Sequence, residues 1–221
     1  MSNFLEPQLG HIGHALSFSM PLLYHNGTLS ICSDVIAFIK WYAISTRVKG
    51  VHFTSDDEEA SLEYFYSIGL GHAKRGKPRD AIFYFNMVLA VNPTHLNALI
   101  NKANALGKIG RYNEAISFYD MALNLKPNHV ICLLNKGLAL HYLQRYDEAI
   151  TCYDKILSQE PEHASTLYHK ACSKTLQKNT EEALVLLERA IVLEPEFAIK
   201  ASGDKDFDIL RSDDRFKALI T

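Results

Sequence analysis

One spacing governs this sequence: 34 residues. Proline recurs at that step at Pro93, Pro127, Pro161 and Pro195, and alanine at Ala81, Ala115, Ala149 and Ala183. Small residues recur at Gly69, Ala103, Gly137 and Ala171. Large apolar residues recur at Phe65, Leu99, Leu133 and Leu167, and again at Phe85, Tyr119, Tyr153 and Leu187. Five columns in phase over four copies require four tandem copies of one supersecondary unit, stacked so that each buries its neighbour's apolar face.

Within a copy the apolar residues obey helical spacing, so each copy reads as two helices, A then B. In the second copy the spacing predicts helix A over Leu96 to Ile109, with Gly110 as its left-handed cap. Helix B comes next over Asn113 to Leu125 and stops before Pro127. In the first copy Pro78 falls in the first turn of helix B, where its missing N–H has no bond to lose. The Gly/Ala column marks a close helix crossing, where a larger side chain costs about 1–3 kcal/mol by overpacking.

Segments such as NKANALGKIGRYNEAISFYDMALNLKPNH (101–129) and NKGLALHYLQRYDEAITCYDKILSQEPEH (135–163) resemble the tetratricopeptide repeat family. The resemblance covers about residues 62 to 195. It implies an all-α fold: a right-handed superhelix of four tandem helix-turn-helix repeats, with helical additions at both ends. Departures from the family pattern are Lys102, Lys136 and Lys170, where leucine is frequent, and Val88 and Ile156, where alanine is usual. These are expected to adjust local packing or tilt.

The chain therefore reads as three regions: an N-terminal capping or regulatory segment (1–58), a four-repeat array (59–195) and a C-terminal helical cap (196–221). The tail DKDFDILRSDDRFKALI (204–220) is similar to segments that come after bacterial repeats of this family, and reads as two short helices over the last hairpin. In the first region, His25-Asn26-Gly27-Thr28 predicts a tight hairpin turn and Asp34 to Thr46 an amphipathic helix. Ser55 with Glu58 makes a capping box for the first repeat.

Net charge is -2, with no Lys/Arg tract, so a nucleic-acid partner is not expected. Residues 7–33 lack Asp, Glu, Lys and Arg, but their apolar part, Ala15 to Tyr24, is too short to span a bilayer and contains Pro21. Membrane insertion is therefore not expected, and no secretory signal is recognisable. Cys32, Cys132, Cys152 and Cys172 have no C-x-x-C spacing and read as buried thiols in a reducing, cytoplasmic setting.

No nucleophile–base motif, phosphate loop or dinucleotide fingerprint is present, so neither an enzyme nor a bound cofactor is expected. No metal site is expected either. His11 and His14 lack further ligands beyond His25. Asp204, Asp206 and Asp208 are succeeded by Ile209 and Arg215 where a calcium loop requires glycine and glutamate. His95, His129 and His163 share the repeat period, about 10 Å apart, too far for a common ion, and read as loop residues between repeats.

The resemblance implies that A-helix columns line a concave, peptide-binding groove. Here they give Tyr66, Leu70, Ile100, Asn101, Asn104, Ile131, Leu134, Asn135, Leu138, Tyr168 and His169, with Cys172 beside them. Asn101 and Asn135 share one column, and a carboxamide both donates and accepts. The pair is similar to the asparagine ladder of the enzyme that attaches N-acetylglucosamine to proteins. Equally, it serves helix contacts alone. The family's carboxylate clamp for chaperone tails is not expected, because its columns carry Tyr66, Leu70 and Ile131. The expected function is a non-catalytic adaptor or scaffold that holds a peptide or partner surface in the groove. The alternative is an autoinhibited sensor whose N-terminal segment occupies that groove.

Overall fold

The computed structural model describes residues 24–25, 28–29 and 55–221. Strand β1 (Tyr24–His25) pairs antiparallel with β2 (Thr28–Leu29), Tyr24 opposite Leu29. This is the hairpin expected at Asn26-Gly27. The helix expected over 34–46, the side chains of the Ser55/Glu58 box, and His11 and His14 lie outside the described residues. The chain divides into compact units Met1–Ser61 and Leu62–Thr221.

Eight helices form the array: α1 (Ser55–Lys74), α2 (Pro78–Val91), α3 (Leu96–Lys108), α4 (Tyr112–Leu125), α5 (Val130–Tyr142), α6 (Tyr146–Leu157), α7 (Ala164–Leu176) and α8 (Thr180–Leu193). From α2 onward each packs on its neighbours in sequence, and the A helices α3, α5 and α7 also touch in turn. The fold is thus an all-α superhelix of tandem pairs. Helix α9 (Glu196–Gly203), a 3-10 turn (Lys205–Leu210) and α10 (Asp214–Leu219) complete it as the cap. Phe197, Ala201, Phe207, Leu210 and Phe216 enter one apolar core with α7 and α8, so the last hairpin does not end in bare hydrocarbon. Among the described residues no helix is long and apolar enough to cross a membrane.

The repeat columns have visible causes. A Cβ on Gly69 would lie 2.7 Å from the Phe85 ring, and one on Gly137 would collide with the Tyr153 ring. The small-residue column is therefore the seat of the helix B aromatic. Each A helix ends in one pattern: Lys77 N–H donates to His72 O, Arg111 to Leu106, Arg145 to Leu140 and Asn179 to Lys174. This closure needs a left-handed residue one position earlier. Gly76 (φ 70°), Gly110 (φ 77°), Gln144 (φ 60°) and Lys178 (φ 64°) supply it.

Two columns do more than their sequence suggested. His95, His129 and His163 are helix N-caps, not merely loop residues. Each Nδ1 accepts from a backbone N–H three residues on, at Ala98 (3.1 Å), Cys132 (3.3 Å) and Thr166 (3.2 Å). The lysine column staples one repeat to the preceding helix B. Lys136 pairs with Asp120 and Lys170 with Asp154. In the second copy Asn86 stands in the acidic column, and Lys102 instead lies 3.6 Å over the Phe118 ring. Cys132, Cys152 and Cys172 are free, buried thiols.

Candidate functional site

A groove of about 700 Å³ runs along the A helices of the first three copies. It collects five of the expected residues: Leu70 from α1, Asn101 and Asn104 from α3, and Asn135 and Leu138 from α5. Leu70, Asn104 and Leu138 form one column at the 34-residue step, and Asn101 and Asn135 lie three residues before the last two, on the same face of their helices, so the stacked A helices bring all five to one side.

The asparagines are already engaged. Asn101 Nδ2 donates to Tyr66 Oη at 2.9 Å and to Asn97 O at 2.9 Å, which uses both its amide hydrogens. Asn135 Nδ2 donates to Asn104 Oδ1 at 2.9 Å, and Tyr119 Oη donates to the same oxygen at 2.6 Å. The Asn101–Tyr66 and Asn135–Asn104 bonds each tie one copy to the next, so the column serves helix contacts. It also leaves the Asn101 and Asn135 carbonyl oxygens as acceptors along the groove. Burial pushes the Tyr66 phenol above its ordinary range and holds it neutral.

The other expected residues divide. Tyr66 is half-buried and holds Asn101, and Leu134 packs against the core of the second and third copies. Ile131 is 59% exposed but does not line the groove. Ile100 is a correction: it is buried in the core. Tyr168 is another. It is 0% exposed, stacked on Phe197 at 4.7 Å, and donates to Asp204 Oδ2 at 2.8 Å. Its copy is the last, and the cap covers the face that the groove columns occupy elsewhere. His169 is largely covered there too, and burial drives its imidazole pKa down to about 3. Cys172, beside it, is buried.

The groove also has members that the family columns did not suggest. Tyr142, 62% exposed, stacks on Tyr112 with ring centroids 5.0 Å apart, and both line the groove. Lys74 and Lys108 line it as well, whereas among the described residues no Asp or Glu does. A signal was present: 74, 108 and 142 are one column at the 34-residue step, in the last turn of helix A. Ala73 and Gly107, the preceding column, keep the floor low. The groove is an open trough with carboxamide oxygens along its base, a tyrosine pair at one wall and ammonium groups at its rim.

A family profile described as anaphase-promoting complex, cyclosome, subunit 3 matches residues 74–156, and the tetratricopeptide repeat profile matches residues 134–199. No curated protein matches the chain. MamA from residue 41 to its end, from Desulfovibrio magneticus RS-1, superposes with a TM-score of 0.63 at 21% identity, over 72% of this chain and 88% of that one. YrrB, described as a TPR protein with an unusual peptide-binding site, gives 0.58 at 19% identity, over 73% and 90%. The first TPR of Spaghetti (RPAP3), bound to the HSP90 peptide SRMEEVD, gives 0.52 at 21% identity, over 58% and 99%. At such identities the likeness is one of fold. The two profiles, which together span residues 74–199, the 34-residue columns and the stacked hairpins agree: the chain is a tetratricopeptide repeat protein.

Proposed function

We propose that this protein is a non-catalytic adaptor that holds an extended, acidic-flanked peptide of a partner protein in the groove of its first three copies. The observation that carries this reading is the lining itself. It offers free carboxamide acceptors, the exposed Tyr142 ring on the half-buried Tyr112, and two lysines, with no carboxylate among the described residues to repel an acidic ligand. Backbone N–H groups of an extended chain match the Asn101 and Asn135 oxygens, and an apolar side chain matches the Tyr112/Tyr142 wall. The fold-relatives that take peptides support the class of ligand, though not the ligand. Tyr66, Leu70 and Ile131 replace the basic clamp that a chaperone tail needs, so the partner is of another kind. Buried, unpaired thiols suit a reducing compartment such as the cytoplasm.

Selection of displayed peptides on the full chain tests the reading. Selected peptides should be rich in Asp or Glu beside an apolar anchor. They should bind Tyr142→Ala about tenfold or more weakly, the effect of losing one hot-spot aromatic. Lys108→Ala should weaken them chiefly at low salt. Equal affinity for wild type, Tyr142→Ala and Asn135→Ala would remove the groove as the binding site.

A further inference from the structure

A second cluster of side chains lies outside the groove lining, where α5, α7 and the 3-10 turn of the cap converge. Cys172 Sγ and carboxylate oxygens of Asp204 and Asp206 all fall within 4.8 Å of one another. Cys172 Sγ is 3.9 Å from Asp204 Oδ2. His141, from the last turn of α5, places its Nε2 3.0 Å from Asp206 Oδ2. The far ring nitrogen, Nδ1, lies 2.9 Å from the buried Ser173 hydroxyl.

We propose that His141, Cys172, Asp204 and Asp206 form a zinc site that locks the C-terminal cap onto the last two repeats. The donor set is one thiol, one imidazole and two carboxylates, the mixture that a borderline-soft, tetrahedral dication accepts. Zinc–sulfur bonds of about 2.3 Å and zinc–oxygen bonds of about 2.0 Å put neighbouring tetrahedral ligands about 3.5 Å apart. The two separations, 3.9 and 3.0 Å, fall either side of that value. The Cys172, Asp204 and Asp206 atoms need only a modest closing to surround one centre, whereas His141, which touches Asp206 but lies beyond 4.8 Å from at least one of the other two, reaches it by a side-chain rotation of about an ångström or more.

The arrangement around His141 is that of a metal-ligating imidazole. A ligating histidine almost always gives its other ring nitrogen to a neighbouring acceptor, which fixes both tautomer and orientation. Ser173 is that neighbour. His141 also breaks its own column, for Ala73 and Gly107 precede it at the 34-residue step and Thr175 succeeds it. Where the first two copies have a groove floor, the third has an imidazole turned to the cap.

On zinc binding the Cys172 thiol proton leaves to solvent, and the dication's charge stabilises the thiolate beside Asp204 and Asp206.

The linkage to folding is direct. The ligands come from residue 141 of the third copy, residue 172 of the fourth and residues 204 and 206 of the cap. An ion held by all four stabilises the docked cap and has no preformed site in the unfolded chain.

The test uses the full chain, reduced and stripped with chelator, titrated with cobalt(II) as a spectroscopic stand-in and then with zinc. One cobalt per chain should bind, with a thiolate-to-cobalt charge-transfer band and the intense visible bands of tetrahedral coordination. One equivalent of zinc should abolish both. Cys172→Ser should lose the charge-transfer band. Asp206→Asn, which keeps the thiol, should bind zinc more than about tenfold more weakly. Ser173→Ala should keep the band but lose about tenfold in affinity, the cost of removing an orienting neighbour. Circular dichroism establishes that each variant is folded. The proposal is overturned if folded wild type shows no charge-transfer band, if the band persists in Cys172→Ser, or if Asp206→Asn binds zinc as wild type does. In those cases the cluster is a hydrogen-bonded seam that docks the cap unaided.

Discussion

The first three copies and the fourth carry the same columns and use them oppositely. Leu70, Asn104 and Leu138 line an open trough, whereas Cys172, their successor, is buried. Tyr66 and Leu134 are half-covered, whereas Tyr168 is sealed between Phe197 and Phe207. Asn101 and Asn135 tie neighbouring copies together at the groove, whereas His169 is held neutral under the cap. A column in a repeat array therefore has no fixed environment. The packing around each copy decides it: Ile100, in the column of Tyr66, Leu134 and Tyr168, is buried by its neighbouring repeats, and at the end of the array the cap turns the groove columns of the fourth copy into core.

The largest expected effect separates the two uses of one column. Tyr168→Ala removes a fully buried ring and strands the Asp204 carboxylate that its hydroxyl serves, at a cost of about 3–5 kcal/mol. Tyr66→Ala, three copies earlier in the same column, should cost about 1–2 kcal/mol, because the ring is only half-covered. Denaturant midpoints compare the two, and amide exchange should show the cap opening first in Tyr168→Ala. Equal losses at both positions would mean that the cap does not distinguish the fourth copy.

A middle-sized effect should appear with pH, measured in the presence of chelator. Burial lowers the folded pKa of His169 from 6.5 to about 3. Below pH 6.5 the unfolded chain gains a proton there that the folded chain refuses. His169 therefore lends full stability above pH 6.5, and this is lost as pH falls toward about 3. The limiting slope is about 1.4 kcal/mol per pH unit. Asp206, whose folded pKa is depressed from 3.8, contributes stability above that value and loses it as pH falls further. Glu114, Glu148, Glu181 and Glu182, each held below 4.5 by a basic partner, lose stability as pH falls through that value, so the histidine dominates the slope between about pH 5 and pH 6.5. His169→Asn, the residue of its sister copies, should flatten the stability profile there. An unchanged slope would place the titrating group elsewhere.

Much of this architecture is legible in the sequence, and the reason is periodicity. The five columns locate every helix pair, and the predicted span of α3 and α4 differs from the structure by one residue at an end. Asn26-Gly27 announces the hairpin, and Gly110 its left-handed turn. The groove is less legible. The family columns find Leu70, Asn101, Asn104, Asn135 and Leu138, but they place Ile100 and Tyr168 in the open, where burial forbids. Periodicity treats all copies alike, whereas local packing between the middle copies buries Ile100 and the cap buries Tyr168. The His141, Cys172, Asp204 and Asp206 cluster has no spacing signature at all. Its members come from three elements that only the superhelix brings together. Likewise the histidine N-caps read as loop residues, because histidine is not among the preferred caps.

The smallest expected effect concerns the turn column, where the two halves of the array differ again. Gly76 and Gly110 adopt positive φ without strain, whereas Gln144 and Lys178 adopt it with a Cβ. The backbone bonds that close each turn are the same in all four copies. The left-handed conformation costs a residue with a Cβ about 1–2 kcal/mol. Glycine avoids this, but its freer unfolded chain gives back about 0.5–1 kcal/mol. Lys178 and Gln144 are exposed, so replacing them loses no buried contact. Lys178→Gly and Gln144→Gly should each stabilise by roughly 0.5–1 kcal/mol, raising Tm by a few degrees. The converse change, Gly110→Ala, should destabilise by roughly the same 0.5–1 kcal/mol. Loss of stability in Lys178→Gly would show that the later turns are held by their side chains rather than merely tolerating them, and that the copies differ in their turns as well as in their faces.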